Sequence, residues 1–205
     1  MHEARQHSEA RARERRHRLA HEAARWMSQN GTRDFQLAKR KAALRLGIHD
    51  EACLPRNSEI EEALRAYQQL FTDAHDTEHL QRLREAAIDA MRSMQVFEPR
   101  LVGALLEGTA DKYAPVQLHV FVDAIFEFDD FLQRANIKAV QRVRKLRIDR
   151  TRTFDFDVRL MTVEGVDFDI TVMPRDFLRQ APLSATHEKP MARASLKQVL
   201  SRLGE

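Results

Sequence analysis

Cysteine occurs once in the 205 residues, at Cys53. A lone thiol excludes an internal disulfide framework and fits a reducing compartment. No apolar run approaches the roughly 18 residues that a membrane span requires. The opening MHEARQHSEARARERRHR carries charge with no apolar segment behind it, unlike a secretory signal. A cytoplasmic protein without a membrane anchor is expected. Glycine and proline number six each, and neither falls within residues 3–29, so the front of the chain is free of helix breakers. Against these scarcities stands a hydrophobic content of 43%, enough to bury a real core in one domain with a helical appendage.

Net charge is +3 and unevenly placed. Residues 1–50 hold 12 Lys and Arg against 6 Asp and Glu, and the remainder holds 22 against 25. A basic front can meet nucleic acid or another protein; it can equally be a solvated helix face. Hydrophobic spacing predicts four helices there. The first covers residues 3–29 with Leu19, Ala23, Trp26 and Met27 on one face, leaving residues 1–18 with little to bury, as an extended or disordered helical end. Thr32 is the expected cap of the second, over residues 33–46, with Phe35, Ala38, Ala42 and Leu46 inward and Gly47 as its stop. Ser58 and Glu61 have capping-box spacing for a third, which runs to Phe71 with Ile60, Leu64, Tyr67 and Leu70 or Phe71 inward. The fourth runs from Thr77 to Gln95.

Beyond Pro99 the hydrophobic period changes from helical to two, which places a domain division between residues 97 and 98 and predicts an α+β second part, 98–205. Leu101–Leu106 reads as a buried strand and Val116–Val122 as a strand of strict alternation. A helix follows over 124–135, then strands over 140–149, 153–162 and 166–173, and a closing helix over 195–203. For the last hairpin, a three-residue loop of Val163, Glu164 and Gly165 makes one face continuously apolar by pairing Leu160 with Phe168 and Val158 with Ile170. That register faces Arg159 to Asp169 and gathers Asp155, Asp157, Asp167 and Asp169 on one polar side. Arg142 and Arg144 share a face and are expected to pair with Asp155 and Asp157, with a phosphate-binding patch as the alternative.

The order apolar segment, Gly108-Thr109, short linker and strand, LLEGTADKYAPVQLHVFVD, resembles the opening of the nucleotidyltransferase superfamily with the polymerase-beta-like fold. The helical front, AARWMSQNGTRDFQLAKRKAALRLG and LPRNSEIEEALRAYQQLF, is similar to an uncharacterised bacterial branch of it. The resemblance implies a mixed sheet with flanking helices in which Gly108 and Thr109 cradle a triphosphate. It also implies that the next strand carries two carboxylates one residue apart, and that a third acid on a later strand completes a two-magnesium site. The acid pair falls on Gln117 and His119, or one step earlier on Pro115 and Gln117. Neither supplies a carboxylate. Asp167 or Asp169 matches the third acid. The implied protein is nucleotidyltransferase-like, degenerate in catalysis, and acts by binding a nucleotide, RNA or protein partner, with Gly108, Thr109, Gln117 and His119 as binding candidates and no metal. An alternative keeps magnesium and activity with unusual ligands from Asp111, Asp123, Asp167 and Asp169; Asp167 and Asp169 are then the catalytic candidates. A second alternative is a nucleic-acid-associated module that uses the basic front helices.

Smaller signals remain. His17 with His21 and His75 with His79 have the i,i+4 spacing of helical metal pairs, without an HExxH arrangement. They read as structural or surface histidines. Cys53 has no neighbouring histidine to activate it.

Overall fold

A computed structural model describes residues 2–30, 32, 34–48, 50, 53–71, 74–184 and 189–203. The chain divides into two compact units, Met1–Asp73 and Ala74–Glu205. The first holds helices α1 (His2–Asn30), α2 (Phe35–Leu46) and α3 (Asn57–Phe71). Leu19, Ala23, Ala24 and Met27 of α1 meet Ala38 and Ala42 of α2 and Ile60 and Leu64 of α3 in one core, with Cys53 enclosed. Alanine at so many inward positions lets the helices approach closely.

Both expected caps of this unit shift. α2 is capped by Asp34, whose carboxylate accepts from the Leu37 N–H at 2.9 Å, while the Thr32 hydroxyl accepts from the Asp34 N–H. At α3 it is Glu59 that reaches back, accepting from the Arg56 N–H at 2.6 Å, so the reciprocal carboxylate sits two residues before Glu61 and Glu61 is buried. The side chains of Leu70, Phe71 and His75 lie outside the described residues.

The second unit is mixed α and β. Its elements are α4 (Ala74–Ser93), β1 (Arg100–Val102), α5 (Gly103–Glu107), β2 (Val116–Val122), α6 (Ile125–Arg134), β3 (Val140–Arg147), β4 (Thr153–Val163), β5 (Val166–Pro174) and α7 (Leu196–Leu203). The strands form one five-stranded sheet in the order β1-β2-β5-β4-β3, with β2 and β5 parallel and the other pairs antiparallel. One face is covered by helices. Val116, Leu118 and Val120 of β2 and Phe168, Ile170 and Val172 of β5 pack there against Leu83, Ala87, Met91 and Met94 of α4, Phe128 and Leu132 of α6 and Val199 of α7. Each such fully buried side chain contributes roughly 1.5–3 kcal/mol relative to exposure. α4 thus shares a core with the sheet, and the division falls after Asp73 instead of at the change of period near Pro99. The opposite face carries a smaller core of Phe121, Ile148, Phe156 and Met173. No described helix is long and apolar enough to cross a membrane.

Two strand expectations are corrected. The run Leu101–Leu106 is strand only through Val102, because Gly103 adopts φ +70° and turns the chain into α5. The hairpin of β4 and β5 closes through two residues, Glu164 and Gly165, both left-handed at φ 51° and 76°, the conformation whose twist matches paired strands. Val163 then faces Val166, Leu160 faces Asp169 and Arg159 faces Ile170. One step of register puts Asp155 and Asp157 on the helix-covered face and leaves Asp167 and Asp169 on the other. Asp155 stays exposed beside Lys145, and the group buried on this face is Arg159, which is tolerated because α6 supplies Asp129. Its carboxylate accepts from Arg159 Nε and Nη2 at 2.7 and 2.9 Å, and Asp157 takes Nη1 at 3.3 Å. Arg159 therefore does not meet Asp169.

Candidate functional site

The parallel pairing of β2 and β5 sets Gln117 opposite Asp169 and His119 opposite Thr171. The antiparallel pairing of β1 and β2 sets Arg100 opposite His119. Since strand side chains alternate, all of these lie on the face away from the helices. Gln117 Nε2 is 3.4 Å from Asp169 Oδ2. A Cβ added at Gly103 would lie 2.0 Å from Gln117 Oε1, so the glycine at the end of β1 leaves the room that the amide occupies.

Arg144 reaches this face from β3. Its guanidinium donates to both oxygens of Asp169, at 3.1 and 2.7 Å, and to Thr171 Oγ1 at 3.2 Å. The side chain of Asp169 is only 10% exposed, so a two-pronged ion pair holds most of its accepting capacity. Neither Arg142 nor Arg144 pairs with Asp155 or Asp157 among the described residues; Lys145 approaches Asp155 instead, at 3.9 Å. Arg193, in the segment before α7, gives Nη1 and Nη2 to the carbonyls of Phe177 and Leu178, both at 2.9 Å, and stands over the Phe121 ring. Burial and the neighbouring Arg100 guanidinium both lower its pKa. Arg100 gives Nη1 to the carbonyls of Glu98 and Pro99.

His119 sits among these cations, 2% exposed. Burial first, then Arg193 and Arg144, push its pKa down to about 3, so the imidazole is neutral at physiological pH. Its buried Nδ1 has no hydrogen-bond partner among the described residues. The result is one neutral imidazole, one neutralised carboxylate and further guanidiniums on a single sheet face.

Of the residues singled out from the sequence, Gln117, His119 and Asp169 come together. Gly108 and Thr109 do not join them. Gly108 ends α5 in a left-handed cap, φ 72°, and lines a shallow cleft with Leu101, Leu105 and Val199; Thr109 is buried, its N–H bonded to the Ala104 carbonyl. Asp167 stands at the hairpin end and accepts from Thr162 Oγ1 at 2.6 Å. Asp123, at the far end of β2, pairs with Arg175 at 3.1 Å, and Asp111 caps a turn through the Tyr113 N–H. Along the parallel pair of β2 and β5 the position of Asp123 lies eight residues beyond that of Asp167, roughly 26 Å, so these acids share no ion. Among the described residues no group of three or more His, Cys, Asp and Glu could hold a metal. The Nε2 atoms of His17 and His21 lie 3.1 Å apart on the exposed side of α1. The Cys53 thiol donates to Asp50 Oδ2, and that bond together with burial raises its pKa, opposite to what a nucleophile needs.

Gly103, Arg100 and Arg193 were not readable as site residues. Gly103 had a local signal, a glycine directly after a short apolar run. The two arginines lie far from β2 in sequence and are gathered only by the sheet and by the crossing of the segment before α7. On the helix-covered face, a cleft of about 640 Å³ between α4 and α6 is lined by apolar residues including Ala86, Phe131, Ile137 and Val163 and is remote from these charges. No family model, curated protein or solved structure matches the chain.

Proposed function

We propose that the chain is a nucleotidyltransferase-like protein that has lost catalysis and acts by binding, a nucleotide being the ligand that the charged sheet face suits best. The observation that carries this reading is the engagement of Asp169 by Arg144. Two-metal transfer needs several carboxylate oxygens converging on hard cations. Here the positions that the resemblance assigns to the acid pair are an amide and a buried neutral imidazole, and the remaining acid already holds a guanidinium. Magnesium does not fit this donor set, because both oxygens of Asp169 already accept from the Arg144 guanidinium, which would repel a cation placed there. An anion is favoured where the family places a cation.

Thermal unfolding with ATP tests the reading. Stabilisation of the same size with magnesium and with EDTA is expected. Stabilisation that needs magnesium, or nucleotidyl transfer abolished by Asp169→Asn, contradicts it and favours the active alternative. The basic front supports a second reading, nucleic-acid or protein binding, because Arg11, Arg13, Arg15 and Arg18 of α1 are all exposed. Salt-sensitive RNA binding that is lost on removing residues 1–18 is its expected signature.

A further inference from the structure

We infer that the sheet face binds a phosphate-type anion without any metal, seated against Arg100 and Arg193 beside His119. The inference rests on the binding reading above and supplies its chemistry. Charge is the first ground. Arg144 is neutralised by Asp169, but among the described residues Arg193 has no carboxylate partner; its bonds go to two neutral carbonyls. Among the described residues Arg100 has Glu98 as its one carboxylate partner, at 3.7 Å and 40% exposed. Arg100 and Arg193 are close enough to depress the latter's proton affinity, so a doubly charged anion between them replaces repulsion with attraction.

Pre-organisation is the second ground. The Phe177 and Leu178 carbonyls and the Phe121 ring fix the plane of Arg193. The Glu98 and Pro99 carbonyls fix Arg100. A guanidinium has five N–H donors, and Arg193 commits two of them. Donors held in place lose little entropy on binding, which suits a tetrahedral oxyanion that accepts several N–H bonds at once. The unpartnered, buried Nδ1 of His119 is the third ground. A polar atom left without a partner under a sheet face is costly unless a ligand group completes it, and a neutral imidazole can serve either as donor or as acceptor.

The phosphate can belong to a nucleotide or to a free inorganic oligophosphate, and calorimetric titration of the full chain in EDTA separates the two. Pyrophosphate and ATP are expected to bind competitively, each weakened at least tenfold by Arg193→Met and by Arg100→Gln. Because Arg193 also anchors the 177–178 segment, Arg100→Gln and the 15N resonances of the His119 ring provide readouts in a folded protein; those resonances should move on adding pyrophosphate. If ATP binds but pyrophosphate neither competes nor moves the histidine, the anion site is overturned while the nucleotide reading survives. If pyrophosphate binds through both arginines and ATP does not bind, the site stands and the nucleotide reading falls. Binding of neither, or binding only with magnesium, overturns the inference.

Discussion

The two faces of the sheet each hold buried arginine chemistry, and they resolve it in opposite ways. Under the helices, Arg159 is 2% exposed and meets two carboxylates, Asp129 from α6 and Asp157 from its own strand. The cation is closed in and fully compensated, and nothing is left over to recognise a ligand. On the other face Arg144 shares Asp169 while Arg100 and Arg193 lean on backbone carbonyls around a neutral histidine. A compensated buried charge serves the fold; an under-compensated cluster at a partly open face is where a site is expected.

The largest expected effect comes from unbalancing the compensated face. Asp129→Ala leaves a buried guanidinium with Asp157 alone and should cost about 3 kcal/mol in denaturant unfolding. Asp169→Ala should cost only about 1 kcal/mol, because Arg144, 36% exposed, can turn to water. Equal costs would erase the distinction between the faces.

Next in size is Gly103→Ala, which puts a side chain at φ +70° and against Gln117 Oε1. A loss of about 2 kcal/mol is expected. Adding Gln117→Ala should recover roughly half of it, by removing the clash and leaving the backbone strain. Full recovery would show that the left-handed backbone costs nothing.

A pH effect follows from His119, which faces Arg100, Arg144, Arg193, Gln117, Asp169 and Thr171. Its folded pKa of about 3 lies below its ordinary value of 6.5. Between those values the unfolded chain binds a proton that the folded chain does not, so the histidine's contribution is complete above pH 6.5 and is lost as pH falls toward 3. From pH 7 to pH 5.5 the loss is about 1.2 kcal/mol. His119→Gln should remove that part of the slope in unfolding measured at both pH values; an unchanged slope would assign it to other groups. The smallest expected effect is Glu164→Gly in the hairpin, a gain of about 0.5 kcal/mol from relieving a left-handed glutamate at φ 51°.

Helix and strand positions were legible because the period of the apolar residues survives any arrangement of the elements. Leu19, Ala23, Met27, Ile60 and Leu64 are inward as their spacing requires, and Val116, Leu118 and Val120 as theirs does. Register was not legible. The three-residue loop looked better because it made one face apolar within two strands, while the observed turn is made acceptable by Asp129, a third partner contributed by α6. Likewise the amide and imidazole at Gln117 and His119 were plain in the sequence, whereas the arginines gathered beside them were not. Arg100, Arg144 and Arg193 come from three separate segments, and only the sheet order brings them to one face.

The claim that this face rejects divalent cations is tested most directly by manganese as a paramagnetic probe in amide NMR spectra. No selective broadening at Gln117, His119 or Asp169 is expected at submillimolar manganese, with or without ATP. Selective broadening at these three residues that disappears in Asp169→Asn would contradict the account.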